Sequence, residues 1–72
     1  MAITLYSLAR CPFSRAMREE LHRRGAEFTE IDVGDNPQCV PELVKLTNRR
    51  RVVPVLVDGT RIEIAPDGGT EF

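Results

Sequence analysis

The first half of the chain alternates between strand-like and helix-like patterns, and this alternation restricts the fold more than any other feature of the sequence. Residues 2–7 alternate apolar and polar side chains, as a half-buried strand does. Residues 12–24 then place apolar side chains at helical spacing, Gly25 suits the position after a helix, and residues 27–33 are strand-like again. Because one helix joins the two strands, we predict a right-handed parallel βαβ unit.

A second helix is expected in the middle of the chain. The Asp-Asn-Pro run at residues 35–37 is typical of a helix start. Pro41 removes a backbone donor that a longer helix would need, so we predict an irregular turn over residues 37–40 and regular helix from near Pro41. Asn48 is suited to the left-handed conformation that commonly ends a helix.

The remaining residues predict a hairpin. Residues 52–57 form a buried-looking strand, and the Asp-Gly pair at residues 58–59 signals a tight turn into a last strand over residues 60–64. The predicted order is therefore β-α-β-α-β-β, with the last two strands antiparallel. Residues 65–72 are polar and rich in turn formers, so we expect an irregular tail there.

The size and charge of the chain argue against several classes of function. Its 72 residues suffice for one small domain, and a net charge of −1 creates no field that would attract nucleic acid. No apolar run reaches transmembrane length, and the N-terminus lacks the pattern of a signal peptide. Two cysteines are too few for a secreted disulfide scaffold. We therefore expect a single cytoplasmic domain over residues 1–72, with no nucleic-acid and no membrane partner.

Cys11 lies where the first strand passes into the first helix, and this position favours a reactive thiol. The unpaired N–H groups of a first helical turn carry partial positive charge, which stabilises a thiolate. The thiolate is the nucleophilic form of cysteine, and Pro12 suits the first position of a helix. We therefore expect an exposed Cys11 with a lowered pKa. Arg10 and Arg15 either lower it further by proximity or are simply solvated.

Two motifs together resemble the glutaredoxin branch of the thioredoxin fold. They are Cys-Pro-Phe-Ser at residues 11–14, after the first strand, and Val-Val-Pro at residues 52–54. The resemblance covers roughly residues 2–64 and implies an α/β, thioredoxin-like β-α-β-α-β-β fold that is truncated, with the third helix missing. By length, the chain is most similar to very short bacterial members of a monothiol type, some of which carry selenocysteine at the position of Cys11.

The resemblance also implies roles for individual residues. Cys11 would be the attacking thiol, and Pro54 a cis-proline that places the Val53 backbone opposite it as a ledge for a peptide or glutathione. Ser14 stands where the family has its second cysteine. It can donate a hydrogen bond to the thiolate, but it cannot resolve a mixed disulfide. The residues expected to contact substrate are Arg10, Pro12, Phe13, Val53, Pro54 and Arg51.

Three further features leave alternatives open. Cys39 is either a second thiol that resolves a mixed disulfide or a small apolar residue at a helix start. The arginine run at residues 49–51 either meets the glycyl carboxylate of glutathione, as basic or amide side chains do in the family, or is a solvated turn. The Gly-Gly pair at residues 68–69 either comes too late in the chain to match the pair that receives the γ-glutamyl carboxylate in the family, or follows a lengthened loop.

These observations support more than one function. The first is a thiol-disulfide oxidoreductase that uses the Cys11 thiolate on glutathione mixed disulfides or small disulfides, with glutathione as co-substrate and no tightly bound cofactor. The second is a non-catalytic binding or adaptor module, and the third is an iron–sulfur carrier with glutathione as co-ligand. The cysteine and histidine spacing predicts no metal site. Glutathionylated or disulfide-bonded proteins are the expected partners, and a homodimer through the uncovered sheet face is a further expectation.

Overall fold

A computed structural model describes residues 3–72. The helices of this part of the chain are α1 (Pro12–Arg23) and α2 (Val40–Leu46), the latter preceded by a 3₁₀ turn over Pro37–Cys39. The strands are β1 (Ile3–Ser7), β2 (Phe28–Asp32), β3 (Val52–Val53), β4 (Val55–Asp58), β5 (Arg61–Ile64) and β6 (Thr70–Glu71). The beginning of the strand predicted over residues 2–7 lies outside the described residues.

The main sheet has the strand order β2-β1-β4-β5. Strands β1 and β2 are parallel and joined by α1, which confirms the parallel βαβ unit. Strand β4 pairs antiparallel with β1, with Leu5 opposite Leu56, and β5 pairs antiparallel with β4. The arrangement is a small α/β thioredoxin-like fold.

Helix α1 covers one face of this sheet only in part. Its Leu21 is fully buried and packs in a cluster with Leu5 and Leu56. Phe13 and Ala16 share the apolar side of the helix, but both are exposed. They border an open groove of about 840 Å³ that Leu56 also lines. Among the described residues no further helix packs over this region. Part of the apolar side of α1 therefore remains exposed.

The opposite face of the sheet carries the larger core cluster. Side chains alternate between the two faces of a strand, so Tyr6 points away from the side of Leu5. It packs in a cluster with Leu43 of α2, Val33 and Val55. Cys11 belongs to the same cluster, so the N-terminus of α1 joins the core on the α2 side.

A polar network fastens α1 to β2. Arg18 of α1 contacts both carboxylate oxygens of Glu30 at 2.6–2.8 Å. Glu30 also accepts a hydrogen bond of 2.7 Å from the hydroxyl of Ser7, which is fully buried. A carboxylate with several charge-assisted partners holds its neighbours in one geometry. The network therefore orients the helix whose first turn carries Cys11.

The structure refines several predicted boundaries. The strand expected over residues 52–57 is divided at Pro54, and its two parts belong to different sheets. The second helix begins at Val40, one residue before the predicted start, and the turn before it is a 3₁₀ turn. Asn48 adopts the expected left-handed conformation with φ of 56°. The hairpin pairs Asp58 with Arg61, so its turn lies one residue later than predicted.

The prediction of an irregular tail over residues 65–72 is wrong at Thr70–Glu71, which form a strand, whereas residues 65–69 are irregular as expected. Strand β6 pairs antiparallel with β3, with Thr70 opposite Val53 and Glu71 opposite Val52. Beyond β6, the Phe72 N–H donates to the Arg51 carbonyl at 3.0 Å. We call residues 66–72 the C-terminal strap. The pairing joins residues far apart in sequence, which a local pattern does not reveal.

No helix among the described residues is long and apolar enough to cross a bilayer.

Candidate active site

Cys11 is the N-cap residue of α1. Its backbone is extended, with φ of −87° and ψ of 115°, while its carbonyl already accepts the first helical hydrogen bond from Arg15. Pro12 follows as the first helical residue, where its missing N–H costs nothing. The Cys11 N–H donates to the Leu8 carbonyl at 3.0 Å, which closes the turn between β1 and α1. The thiol therefore lies where the sequence predicted it, at the start of the helix.

The sulfur of Cys11 has partners on two sides. The Ser14 N–H donates to it at 3.3 Å, as a capping interaction of the first helical turn. On the other side, the thiol donates a long hydrogen bond of 3.8 Å to the carbonyl of Val53. The hydroxyl of Ser14 accepts from the Leu8 N–H at 3.4 Å, and Ser14 itself is fully buried. These contacts place the sulfur between the helix start and strand β3.

The pKa of the Cys11 thiol is lowered from its ordinary value. Burial is the largest single influence and raises it, because a desolvated thiolate is unfavourable. Hydrogen bonds from the side chains of Ser14 and Thr70, together with those from the backbone N–H groups of Ser14 and Phe13, favour the thiolate and outweigh burial. The first helical turn thus contributes as the sequence predicted. Arg10 and Arg15 are exposed and are not among these contacts.

The prediction that Cys11 is exposed is wrong, because only 1% of its surface is accessible. Two parts of the C-terminal strap lie beside it. Thr70 pairs with Val53, the residue whose carbonyl meets the sulfur, and Gly68 packs against the ring of Phe13. The Thr70 side chain hydrogen-bonds to the sulfur, so the strap is one of the segments that lie over it.

The peptide bond between Val53 and Pro54 is cis. Both residues are fully buried. Together with the contact between Cys11 and Val53, this shows that the two motifs separated in sequence meet in the fold. The two sequence features on which the resemblance depended are therefore parts of one site.

A match to a family model identifies the family of this chain. The glutaredoxin family model matches residues 3–62, which is most of the chain. The chain belongs to the glutaredoxin family.

Solved structures of glutaredoxin-like proteins have the same fold. One is the glutaredoxin-like protein NrdH-redoxin from Escherichia coli, with a TM-score of 0.75 and 26% identity over 89% of this chain and 82% of that one. Another is a glutaredoxin from Archaeoglobus fulgidus, also with a TM-score of 0.75, at 21% identity over 96% of this chain and 75% of that one. A search of curated protein sequences found no match.

The remaining candidate substrate residues of this glutaredoxin-family chain lie near the start of α1 and beside the strap. Arg10 is exposed on the turn before α1, and Pro12 is exposed at the first position of the helix. Phe13 is 40% exposed, and its ring contacts Gly68. The guanidinium of Arg51, expected to meet an anionic ligand, instead lies over the ring of Phe72 at 5.0 Å from its centroid. Their roles in substrate binding stay predictions.

Cys39 is half-buried and packs against the same cluster as Cys11. Both cysteines are free thiols. Cys39 also contributes, after burial and Glu42, to a raised pKa of Tyr6. The interpretation of Cys39 as a small apolar residue at a helix start therefore fits its surroundings. Its role in resolving a mixed disulfide stays a prediction.

Sequence reasoning missed Thr70 and underrated the glycine pair before it. A Cβ at Gly69 would collide with the Val53 carbonyl oxygen and lie 2.8 Å from the Ala65 Cβ. We expected this pair to come too late in the chain to line the site. Because it lacks side chains, it instead lies in close contact with the Val53 backbone. The only local signal was a short alternating run, Thr70-Glu71-Phe72, after a glycine turn.

Proposed function

We propose that this protein is a monothiol glutaredoxin-like thiol-disulfide oxidoreductase whose nucleophile is Cys11. The observation that carries the proposal is the position of its sulfur, at the start of α1 with the Ser14 N–H at 3.3 Å and the Val53 carbonyl at 3.8 Å. The lowered pKa provides more thiolate near neutral pH than an ordinary cysteine would. Membership of the glutaredoxin family supports redox chemistry in general.

The proposed cycle has two exchange steps. In the first, the Cys11 thiolate attacks the glutathione sulfur of a mixed disulfide, so that a bond forms between these two sulfurs and the substrate leaves as a thiolate. In the second, the thiolate of a free glutathione attacks the glutathione sulfur bound to Cys11. This step releases oxidised glutathione and returns the Cys11 thiolate. Each cycle consumes one free glutathione, and the other half of the oxidised glutathione comes from the substrate. No tightly bound cofactor is needed.

Glutathione is the simplest second thiol because Ser14 has no sulfur with which to resolve the adduct. The Ser14 N–H instead stabilises the departing Cys11 thiolate in the second step, since its hydrogen bond is strongest to the charged sulfur. Such a cycle requires a compartment that keeps glutathione reduced, so a cytoplasmic location is part of the proposal.

A protein dithiol is the alternative electron donor. The NrdH-redoxin that this chain resembles at 26% identity is described as glutaredoxin-like with a thioredoxin-like activity profile. This description is reason to compare glutathione with a protein dithiol as reductant.

The proposal is tested by turnover of a glutathionylated peptide, with glutathione, glutathione reductase and NADPH as the coupled reductant. Activity is expected in the unaltered protein, none above the uncatalysed rate in Cys11→Ser, and retained activity in the matched Cys39→Ser variant. Full activity in Cys11→Ser would refute the proposal. Loss of activity in Cys39→Ser as well would assign the resolving step to Cys39.

A second candidate function is a binding or adaptor module with little turnover. The 1% exposure of Cys11 favours it, because a sealed sulfur cannot attack a disulfide without a change in its surroundings. Alkylation rates measured against pH separate the two functions. A midpoint at the ordinary cysteine value, with no turnover of any disulfide, would support the adaptor.

We also propose a homodimer through the groove between α1 and the hairpin. The groove exposes apolar Phe13 and Ala16 beside the charged side chains of Glu20 and Arg61. Light scattering at high protein concentration tests it. A mass of one chain at every concentration would exclude this dimer.

A further inference from the structure

The C-terminal strap pairs with the Val53 backbone, which is also the backbone on which the substrate would bind in the proposed function. In that function Val53 forms the ledge opposite Cys11, along which an extended peptide or glutathione would lie. In the structure this ledge already has an occupant, because Thr70 pairs with Val53 and Glu71 with Val52 in an antiparallel ladder. The protein thus supplies its own strand where a substrate strand would bind.

The fit of the strap depends on its glycines. Gly68 has φ of +113°, and a Cβ there would lie 2.9 Å from the ring of Phe13. Gly69 is closer still to β3, since a Cβ at this position would overlap the carbonyl oxygen of Val53 and lie 3.0 Å from a methyl group of Val52. Real Cβ atoms do not approach other atoms so closely, so a side chain at Gly69 would force the strap away from the ledge.

The end of the strap is held by two contacts with Arg51. The Phe72 N–H donates to the Arg51 carbonyl at 3.0 Å, and the guanidinium of Arg51 lies over the Phe72 ring. A single cation–π contact at a partly exposed site is worth about 0.5–1 kcal/mol. Strand β6 has only Thr70 and Glu71 in register. Phe72 also packs against the larger core cluster. Strand β6 pairs with β3 and with no described strand of the main sheet, so its separation breaks no pairing of that sheet.

Both the ledge and the sulfur are unavailable while the strap is bound. A strand edge pairs with one partner at a time, so a substrate peptide cannot use the Val53 backbone together with Thr70. Disulfide exchange also requires an incoming sulfur to reach Cys11, which is 1% exposed. The closed arrangement therefore binds no substrate strand and carries out no exchange.

We propose that the C-terminal strap is an autoinhibitory strand, which an extended peptide carrying a disulfide or a glutathione adduct displaces by taking over the pairing with Val53. This inference rests on the proposed function of the ledge. It favours peptides over free small disulfides, because only a peptide backbone replaces the pairing that the strap loses. The apparent affinity for substrate falls by the fraction of molecules in which the strap is open, so a strap closed in nine molecules of ten weakens binding about tenfold.

The test uses variants that open the site in two independent ways, all in a Cys39→Ser background so that Cys11 alone reacts. Gly69→Val keeps the full chain but removes the space that the strap needs, and a shortened chain lacks residues 66–72. Glu71→Gln is the matched control, because the Glu71 side chain is exposed and its strand pairing is kept. Folding of each variant is checked by circular dichroism.

The readout is the rate of Cys11 alkylation by iodoacetamide, measured across pH by intact mass. The plateau at high pH, where the sulfur is fully ionised in every variant, reports access alone. We expect the plateau rate to rise about tenfold in Gly69→Val and in the shortened chain, and to stay unchanged in Glu71→Gln. Equal plateau rates in all four proteins would overturn the inference.

A measurement on the unaltered protein covers the case in which both variants fail to fold. Hydrogen exchange of the Phe72 amide is expected to be at least about tenfold faster than that of the paired amides of β1 and β4, because the strap opens separately. Exchange of the Phe72 amide at the slow rate of those strands would contradict a displaceable strap.

Turnover distinguishes the failure of this inference from the failure of the proposed function. If no form turns over a glutathionylated peptide but the plateau rate rises when the strap is displaced, the strap is a displaceable cover over Cys11 and the oxidoreductase function is refuted. If the unaltered protein turns over the peptide and no strap variant changes the turnover rate or the plateau rate of alkylation, the oxidoreductase function is supported and the autoinhibitory strap is refuted.

Discussion

The sulfur of Cys11 and the carbonyl oxygen of Val53 lie 3.8 Å apart, although 42 positions separate the two residues in sequence. A thiol can donate to this carbonyl, but a thiolate cannot, so ionisation gives up one weak contact. The Ser14 N–H at 3.3 Å on the other side gains strength when the sulfur becomes charged. The balance of these two neighbours makes the protonation state of Cys11 sensitive to small changes around it.

Replacing Ser14 by alanine is expected to raise the pKa of Cys11, because the hydroxyl is the largest of the influences that lower it. Since the thiolate is the reactive form, the midpoint of the alkylation profile should move to higher pH. The change also leaves the buried Leu8 N–H without its acceptor, at a cost of about 1–3 kcal/mol in unfolding free energy. Ser7→Ala is the control, since the buried Ser7 hydroxyl serves Glu30 instead. An unmoved midpoint in Ser14→Ala would contradict the assignment.

Replacing Thr70 by valine separates the hydroxyl of the strap from its backbone. The Thr70 hydroxyl helps to lower the pKa of Cys11, so the alkylation midpoint is expected to rise in Thr70→Val. The shape of the side chain and the pairing with Val53 are retained, so the plateau rate should not change. Thr60→Val, in the exposed hairpin turn, should change neither value. A higher plateau in Thr70→Val would mean that the hydroxyl itself holds the strap closed.

The contact between Arg18 and Glu30 is expected to stabilise the protein only above acidic pH. The hydrogen bond from Arg18 holds the pKa of Glu30 below its ordinary value of 4.5. A carboxyl whose folded pKa is depressed stabilises the fold above its unfolded pKa, and this contribution disappears as the pH falls through the folded value. Urea denaturation at several pH values should therefore show that Arg18→Met loses about 1 kcal/mol at pH 7 and approaches the unaltered protein as Glu30 becomes protonated.

The pair of Arg23 and Glu20 provides the matched control for that experiment. Their nitrogen and oxygen lie 2.8 Å apart, but the two side chains are 76% and 51% exposed. Solvent screens such a contact, so Arg23→Met should change the unfolding free energy by less than about 0.5 kcal/mol, both at pH 7 and at acidic pH. Equal losses in the two variants would contradict a stabilising role of the Arg18–Glu30 contact.

Gly59 tests the hairpin turn through the backbone alone. It has φ of +63°, and a Cβ at this position would meet no atom within 4 Å. Gly59→Val is therefore expected to destabilise the protein by about 1–2 kcal/mol through strain, whereas Gly59→Asn should retain most of the stability because asparagine tolerates this conformation. Equal thermal midpoints for the two variants would contradict a purely conformational cost.

The main elements could be predicted because their signals are local. The period of apolar side chains identified β1, α1 and β2, and a single helix between two strands gave their parallel pairing. The helix start also predicted the direction of the Cys11 pKa, although the nearby arginines are not among its main causes. The meeting of Cys11 with Val53 followed from the family resemblance, since no local pattern connects the two residues.

The C-terminal strap could not be predicted in the same way. Its glycines and polar residues suggested an irregular tail, because two paired residues are too few to produce a strand pattern. The prediction that Cys11 is exposed was wrong for the same reason, since Val53 and Thr70, both distant in sequence, contact its sulfur.

The amino-acid sequence by itself determined the order of strands and helices, the place of the thiol at a helix start and the absence of a second sulfur at Ser14. Each of these depends on neighbours a few positions apart, whose spacing the chain displays directly. Only the tertiary structure decided that Thr70 lies on Val53 and that the thiol is closed off. Pairing between distant segments depends on which backbone edges remain free after the core has packed, and the linear pattern carries no record of those edges.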